Sequence, residues 1–262
     1  MTDEELTRGW QSWHEARLRA TMAPLGLASL TATHWLTPVP TSYEGIPGQW
    51  RADDASIVGE ASALDGMPVL ERGEPVGVVS GASVALLPGH EIAWGKRRLR
   101  HFERDGSLAL RLYDPSTPAR ALLRDIDAYA PGAEWAVRGR FIPATAGERL
   151  ELTAIDGYVG EEPAAGLVEF ELFGQELRLR VTGGPNGLKA IFGDTTNRDE
   201  TYAFRFLTIG APDASGHVTV DFNRSYLPPC AFSDFYVCQL PPAGNRLPVP
   251  VRAGEKGVVR AR

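Results

Sequence analysis

The sequence predicts a mainly β protein whose antiparallel sheets form a barrel or a sandwich, with an N-terminal amphipathic helix and one short mid-chain helix. After Leu25 the apolar residues fall in short runs that alternate with polar ones, which is the period of half-buried strands. The 262 residues include 28 glycines and 20 prolines, which indicates frequent turns. Two segments also match antiparallel hairpins. Together these observations favour β structure over most of the chain.

The first twenty residues, MTDEELTRGWQSWHEARLRA, give the clearest helix prediction. Thr2 and Glu5 have the spacing of a capping box, in which each side chain accepts a hydrogen bond from the other residue's backbone N–H. A short second helix is predicted after Pro118, because proline is favoured in the first turn. At helical spacing, one face of the first helix carries Leu6, Trp10, Trp13 and Arg17.

Twelve further segments have the alternation and flanking turn residues of strands. In chain order they are Ser29–Leu36, Ser56–Ala61, Val76–Val79, Ser83–Leu87, Arg98–Glu103, Leu108–Tyr113, Trp135–Phe141, Leu150–Ile155, Val168–Phe173, Leu177–Val181, Tyr202–Ile209 and Val218–Phe222.

The segment LVEFELFGQELRLRV predicts a hairpin around a two-residue turn at Gly174 and Gln175. Glycine supplies the positive φ that a type II′ turn requires. This register places apolar residues on one face and opposite charges on the other, as cross-strand pairing favours. The predicted pairs are Leu172–Leu177, Phe170–Leu179, Val168–Val181, Glu171–Arg178 and Glu169–Arg180.

The segment RRLRHFERDGSLALRLYD predicts a second hairpin, with its turn at Asp105 and Gly106. Its apolar face would carry Leu99, His101 and Glu103 opposite the leucines of the second strand. We expect the other face to be solvated, although it could also bind an acidic partner. That face carries the arginine stripe Arg98, Arg100, Arg104 and Arg111.

A candidate boundary lies in the segment DPSTPARALLRDIDAYAPGAEW. We expect a helix packed on the body in residues 1–25, an N-terminal β part in residues 26–115 and a C-terminal β part in residues 116–262. Helix and strand patterns resume soon after this segment, so the β parts could also form one continuous domain.

Composition excludes several classes of function. The apolar content of 43% and the charged content of 23% are typical of a folded globular protein. A net charge of −6 and a pI near 5.5 argue against a general nucleic-acid binder. The chain has neither an apolar run long enough to span a membrane nor the pattern of a signal peptide, so we expect a cytoplasmic protein. In that compartment Cys230 and Cys238 are expected to be thiols.

Polar residues concentrate in the last two predicted strands and the turn before them. A symmetric register about the loop Gly210–Gly216 sets Arg205 opposite Asp221, which predicts an ion pair, with Asn223 following on the same face. The turn Asp194–Asn197 precedes the first of these strands and could present its carboxylate to a ligand.

The prolines of SYLPPCAFSDFYVCQLPPAGNRLPVPV predict a stiff segment, which we call the strap (residues 226–250). Its rigidity would hold Tyr226, Asn245 and Arg246 in place. The spacing of Cys230 and Cys238 is not that of a zinc site, and no histidine lies close enough in sequence to act as a base. The usual phosphate-binding, hydrolase and dinucleotide motifs are also absent, so the sequence indicates no metal and no cofactor.

The strings VDFNRSYLPPCAFSDFYVCQLPPAGNRLPVPVRAGEK and FGDTTNRDETYAFRFL resemble the C-terminal signature of a bacterial family, domain of unknown function 1684. The N-terminal region TPVPTSYEGIPGQWRADDASIVGEA departs from the family's glycine-serine-aspartate stretch. The resemblance implies a mainly β protein and names no substrate. It points to Asp194, Arg205, Asp221, Asn223, Tyr226, Cys230, Asn245, Arg246 and Glu255.

Our leading hypothesis is that these residues bind a small polar or anionic molecule in a pocket beneath the strap. The carboxylates of Asp194, Asp221 and Glu255 could then support hydrolysis or acid–base chemistry. One alternative is a structural or protein-interaction module without catalysis. Another is a flavin-binding split-barrel protein, which the size and β content allow. The oligomeric state is left open by the sequence.

Overall fold

The computed structural model describes residues 2–261 and confirms the mainly β class, with antiparallel sheets, a half-barrel, an N-terminal helix and one short helix. The described chain forms two compact units. Unit 1 comprises residues 2–19, 124–232 and 237–261, and unit 2 comprises residues 20–123 and 233–236. Within this part of the chain, no helix combines the length and apolarity needed to cross a membrane.

The helices are α1 (Asp3–Met22) and α2 (Pro118–Leu122). Short 3₁₀ helices occur at Leu27–Ser29, Ser62–Leu64, Ala133–Trp135, Phe222–Arg224 and Pro229–Ala231. The strands are β1 (Leu30–Trp35), β2 (Gln49–Asp53), β3 (Ser56–Glu60), β4 (Pro68–Glu71), β5 (Glu74–Val78), β6 (Ser83–Leu86), β7 (His90–Trp94), β8 (Arg97–Arg104), β9 (Ser107–Tyr113), β10 (Leu123–Ala128), β11 (Ala136–Pro143), β12 (Arg149–Thr153), β13 (Val159–Leu172), β14 (Gln175–Gly184), β15 (Gly187–Phe192), β16 (Arg205–Ile209), β17 (His217–Asp221) and β18 (Glu255–Arg260).

Unit 1 is built on a sheet with the strand order β16-β15-β14-β13-β11-β17, and β12 pairs with the first part of β13. β10 and β18 form a separate two-stranded sheet. The core of the unit comes from the inward residues of this sheet together with apolar residues of the strap. Fully buried members include Val168, Leu179, Phe192, Val220 and Phe222.

Unit 2 contains a six-stranded sheet of order β1-β9-β8-β7-β4-β5 and a three-stranded sheet of order β2-β3-β6. Its core is separate from that of unit 1 and centres on Trp50, Ile57, Leu86, Leu99 and Leu110, all fully buried. Each unit therefore has its own hydrophobic core, as an independent domain does.

Helix α1 begins with the predicted capping box. The Thr2 N–H donates to Glu5 Oε2 at 2.8 Å, and the Glu5 N–H donates to Thr2 Oγ1 at 3.2 Å. The Trp10 indole N–H donates to the carbonyl of Asn223 at 2.9 Å, and Leu6 is buried. The predicted apolar stripe therefore packs the helix onto unit 1.

The first predicted hairpin forms, but its turn lies one residue earlier than expected. Its central residues are Phe173 and Gly174, with φ of 51° and 76°, as a type I′ turn requires. Each β13 residue therefore meets a β14 residue two positions earlier than predicted. A shift of two leaves every side chain on its expected face, because strands alternate with period two. The observed pairs include Phe170–Leu177, Val168–Leu179, Glu169–Arg178 and Leu167–Arg180.

The second hairpin, between β8 and β9, forms in the predicted register, with Arg104 paired to Ser107 and Leu99 to Leu112. Its arginine stripe is half-buried, so the expectation of a solvated face is wrong. The Arg100 Nε donates to Glu91 Oε2 at 2.5 Å. Aromatic side chains on the same face stack against the guanidinium groups, which lowers their exposure to water. The stacked pairs are Arg100–Tyr113, Arg104–Trp35 and Arg111–Phe102.

Every predicted strand overlaps an observed one, but the patterns do not predict β2, β4, β7, β10, β15 and β18. These strands have only four to six residues, and β15 directly follows a glycine-rich turn that hides its alternation. The omission of β15 has the largest consequence. The prediction placed β17 beside β16, whereas β15 occupies that position in the sheet.

The predicted pairing of β16 with β17 is wrong. β16 pairs with β15, which places Arg205 beside Phe192, and β17 pairs with β11, which places Asp221 beside Ala136. The seven-residue loop after β16 does not close a tight hairpin. Within it, the Asp213 carboxylate accepts hydrogen bonds from the backbone N–H groups of Ser215 and His217. β15 pairs with β16 over the whole length of β16 and carries the buried residues Leu188, Ala190, Ile191 and Phe192.

Candidate functional site

The structure pairs Arg205 with Asp194 rather than with Asp221. The Arg205 Nη2 donates to Asp194 Oδ2 at 2.7 Å, and neither side chain has exposed surface. The guanidinium also donates to the backbone carbonyls of Val251 and Ala253. A buried charge pair of this kind is tolerated only when further hydrogen bonds offset its desolvation. The pair ties β16 to the chain that follows the strap.

The turn that holds Asp194 is the one predicted from its residue types. Asp194 Oδ1 accepts from the Thr196 N–H at 2.9 Å, and the Asp194 N–H donates to Asn197 Oδ1 at 2.7 Å. Asp194 Oδ1 also accepts from the Val251 N–H at 3.2 Å. The carboxylate is therefore occupied by protein donors and stabilises the turn.

Glu255 and Tyr226 lie together around Arg17, a residue of α1. The Glu255 carboxylate is fully buried and accepts from Arg17 Nε at 2.8 Å and from the Leu227 N–H at 2.7 Å. The Arg17 guanidinium lies 4.9 Å from the centroid of the Tyr226 ring. The carboxylate thus joins the N-terminal helix to the start of the strap.

Asp221 and Asn223 form a second local network. The Asn223 side-chain amide donates to Asp221 Oδ1 at 3.0 Å. The same amide group pairs with both backbone polar groups of Gly132, each at 2.9 Å. This network stabilises the end of β17 and is separate from the Asp194–Arg205 pair.

Cys230 lies against Cys238. Both are buried and carry thiols rather than a disulfide, and the Cys230 N–H points to Cys238 Sγ at 3.2 Å. The Tyr202 hydroxyl donates to Cys230 Sγ at 3.6 Å. The arrangement is that of packed thiols in the interior.

Asn245 fixes the strap to the sheet at the point where β14 and β15 separate. Continued beyond Thr182–Lys189, the register of these strands would pair Val181 with Ala190 and then Arg180 with Ile191, but the Asn245 side chain bonds to both Arg180 and Ile191 instead. Its Oδ1 accepts from the Arg180 N–H at 2.7 Å, and its Nδ2 donates to the carbonyls of Arg180 and Ile191, both at 2.9 Å. The amide therefore replaces the missing ladder bonds.

Arg246, the next residue of the strap, is exposed. Its backbone pairs with Gly193, and a Cβ added to Gly193 would lie 3.0 Å from Arg246 Nη1. The side chain thus lies directly over the backbone of Gly193. Of the predicted site residues, the structure brings together Asp194 with Arg205, Glu255 with Tyr226, and Asp221 with Asn223.

A cavity of about 370 Å³ lies beside the strap in unit 1, and we call it the strap groove. The strap contributes Ala243 and Gly244 to its wall, and the sheet contributes Arg178 and Arg180. The two arginines are exposed and two residues apart, so they project from the same face of β14. The groove therefore places two guanidinium groups side by side on a concave surface.

A bulge in β13, beside Arg180 in the sheet, shapes another part of the strap groove. At the bulge, Gly166 has φ of 153°, and a Cβ there would lie 2.1 Å from the Ile142 carbonyl oxygen. Only glycine fits this position without displacing the backbone. Glu148 lies at the rim, where its Oε1 is 3.6 Å from Arg180 Nη1. This half-exposed pair leaves the Arg178 charge available to the groove.

The groove residues were not predicted from the sequence, because the hairpin pattern explains Arg178 and Arg180 as members of cross-strand pairs. The signal was the string LRLR, in which alternation places both charges on the polar face. The contacts of Arg17 with Glu255 and of Arg252 with Glu200 were not predicted either, because the partners lie far apart in sequence. No local pattern identifies such partners.

Glu200 forms a further polar network at the surface of unit 1. It accepts from Arg252 Nη2 at 2.6 Å and from the Tyr129 hydroxyl at 2.8 Å. The hydrogen bonds from Arg252 and then Tyr129 lower the pKa of Glu200 to about 2. Burial, with the hydrogen bond to Glu200, raises the pKa of Tyr129 to about 12.

This network predicts acid sensitivity. A carboxylate whose folded-state pKa is depressed stabilises the protein above its ordinary pKa, and the effect is lost as pH falls through the folded value. We expect wild type to exceed Glu200→Gln in melting temperature at pH 7, with the difference disappearing as pH falls from about 4.5 to 2. Calorimetry at four pH values measures this. A difference that stays constant down to pH 2 would contradict the assignment.

Comparison with known proteins gives a family but no activity. The segment from Leu122 to Lys256 matches the family described as "Protein of unknown function (DUF1684)". A similar solved structure is the solution NMR structure of an uncharacterised protein of Haloarcula marismortui, with 25% identity, 51% of this chain and 76% of that chain covered, and a TM-score of 0.43. A search of curated proteins gives no match. All the residues predicted for the site lie inside the matched segment.

Proposed function

Because this chain belongs to the family of domain of unknown function 1684, whose description names no activity, we propose a function from its own geometry: it binds a small anionic molecule in the strap groove. The observation that carries the proposal is the pair of exposed guanidinium groups on Arg178 and Arg180. They face a concave surface whose wall is held in place by Asn245.

The size of the groove favours a small ligand. Its volume of about 370 Å³ is near the lower end of the range for small-molecule sites. Guanidinium groups bind carboxylate and phosphate through paired, charge-assisted hydrogen bonds. Arg178, whose charge is not paired with a groove carboxylate, therefore suits a compact molecule with one anionic group, and Arg180 flanks it.

The rigidity of the site also supports binding. The backbone of Arg180 is held by Asn245, and the adjoining strap contains Pro241 and Pro242. A wall that is already fixed loses little entropy when a ligand binds. The buried carboxylates of Asp194 and Glu255 are engaged by protein donors, so this proposal is for binding and not for acid–base turnover.

The test uses phosphate and citrate as probes. Titrations followed by NMR should shift the Nε–Hε signals of Arg178 and Arg180 first. Replacing both arginines, as Arg178→Gln with Arg180→Gln, should weaken probe binding at least about tenfold, because a hydrogen bond to a charged group contributes about 1.5–3 kcal/mol. These changes retain the backbone bonds that anchor the strap.

Arg138→Gln is the matched control, since Arg138 is an exposed arginine on β11 of the same sheet. It should bind both probes as wild type does. Equal weakening in the control would show that the probes respond only to net charge. Unchanged binding in the double variant would refute the assignment of the groove.

A further inference from the structure

Unit 2 contains a second cavity, of about 460 Å³, with a different chemical character. Its apolar lining comes from Pro24 and Leu25, which follow α1, and from Pro115, which follows β9. Lys96 in the β7–β8 turn, Arg98 on β8 and Arg120 in α2 supply its charged side chains. The chain thus brings three cations from separate elements to the edge of an apolar surface.

Backbone carbonyls hold the two guanidinium groups in place. The Arg120 Nε donates to the carbonyl of Ala23 at 3.2 Å, and its Nη1 donates to that of Pro115 at 3.0 Å. The Arg98 Nη1 donates to the carbonyl of Arg97 at 2.8 Å. Carbonyls are neutral acceptors, so these bonds orient the Arg120 guanidinium without cancelling its charge.

The carboxylates nearest to these cations in the fold make closer contacts with other groups. Asp114 accepts from Arg97 Nε at 2.7 Å and from the Ser116 N–H at 2.8 Å. Glu91 accepts from Arg100 Nε at 2.5 Å and lies 3.5 Å from Arg98 Nε. Arg98 is therefore paired with Glu91, whereas the residues that line the cavity give Lys96 and Arg120 no carboxylate partner.

We propose that this cavity binds an organic anion with an apolar body, such as an aromatic or short acyl carboxylate or phosphate ester. The apolar lining would cover the body of such a molecule, and Lys96 and Arg120 would hold its anionic group. An inorganic anion would leave the apolar lining exposed to water, and a neutral apolar molecule would leave the cations without a partner. This site goes beyond the strap groove in its location and in the chemistry of its ligand.

The experiment compares three probes by fluorescence and competition. 1-Anilinonaphthalene-8-sulfonate carries an apolar body and an anion, N-phenyl-1-naphthylamine carries the body alone, and inorganic phosphate carries the anion alone. We expect the sulfonate to bind more tightly than either of the others. Lys96→Met with Arg120→Met should weaken the sulfonate about tenfold and leave the neutral amine unchanged.

Two further variants keep the result interpretable. Lys96→Glu changes one exposed turn residue, so it tests the charge even if the loss of Arg120 unfolds the unit. Arg72→Gln, in the exposed β4–β5 turn of the same unit, should bind the sulfonate as wild type does. Thermal melting would confirm that each variant is folded.

Three results would overturn the proposal. The first is sulfonate binding that neither Lys96→Glu nor the Lys96→Met, Arg120→Met variant affects. The second is a neutral amine that binds as tightly as the sulfonate. The third is an Arg72→Gln variant that weakens sulfonate binding as much as the variants of the cavity do. The Arg178→Gln and Arg180→Gln variant separates the two sites. If it alone abolishes sulfonate binding, the probe reports the strap groove and this second site is excluded.

Discussion

Arg205→Met is expected to lower the apparent free energy of unfolding by about 3–5 kcal/mol, because it leaves the buried carboxylate of Asp194 without its counter-charge. The same change leaves the carbonyls of Val251 and Ala253 without donors. Urea denaturation followed by circular dichroism measures the loss. Asp194→Asn should also destabilise the protein, since it leaves the guanidinium uncompensated.

A second substitution, made at Asp194 in the Arg205→Met variant, separates the contribution of the ion pair to stability from that of packing. Arg205→Met combined with Asp194→Asn should be more stable than the sum of the two single losses predicts, because neither charge is then left buried alone. The control is Arg149→Gln, which removes an exposed pair with Glu161 and should cost less than about 1 kcal/mol. Strict additivity in the double variant would contradict the proposed coupling.

Asn245→Ala is expected to lower the free energy of unfolding by about 3 kcal/mol, because three backbone groups lose the hydrogen-bond partner that this fully buried side chain provides. Asn245→Asp should be at least as damaging. A carboxylate can accept from the Arg180 N–H, but it cannot donate to the carbonyls of Arg180 and Ile191. The strap would then lose its attachment to the sheet.

Amide hydrogen exchange gives the most direct readout of Asn245. The Arg180 N–H should exchange faster in both variants, since its acceptor is the Asn245 side chain. Asn186→Ala is the matched control, because Asn186 is an exposed residue of the β14–β15 turn. It should change neither stability nor the exchange of Arg180. Unchanged exchange at Arg180 in Asn245→Ala would show that the amide does not hold the strap.

The sequence predicts those parts of this fold that depend on neighbouring residues. The capping box at Thr2 and Glu5 and the turn at Asp105 and Gly106 follow from short-range rules, and both are confirmed. The hairpin at Phe173 shows the limit of such rules. Alternation assigns each residue to a face, but the turn position depends on φ values that a phenylalanine adopts only when the surrounding strands require it.

The candidate site was harder to predict because its partners are distant. Arg205 and Asp221 have complementary charges and a symmetric loop between them, yet β15 pairs with β16 instead. The resulting pair, Arg205 and Asp194, depends on carbonyls from the chain after the strap. The groove arginines lie in a string that reads equally well as an ordinary strand surface. Complementarity of charge alone cannot choose between such arrangements.

The bond between Arg17 and Glu255 spans 238 residues of sequence. During synthesis the helix with Trp10 and Trp13 is made long before the residue that supplies its carboxylate partner. Unit 1 therefore cannot form this contact cotranslationally until Glu255 has been synthesised. Until then Arg17 lacks the buried carboxylate that it contacts in the folded unit, and the helix is held to the rest of unit 1 by fewer contacts.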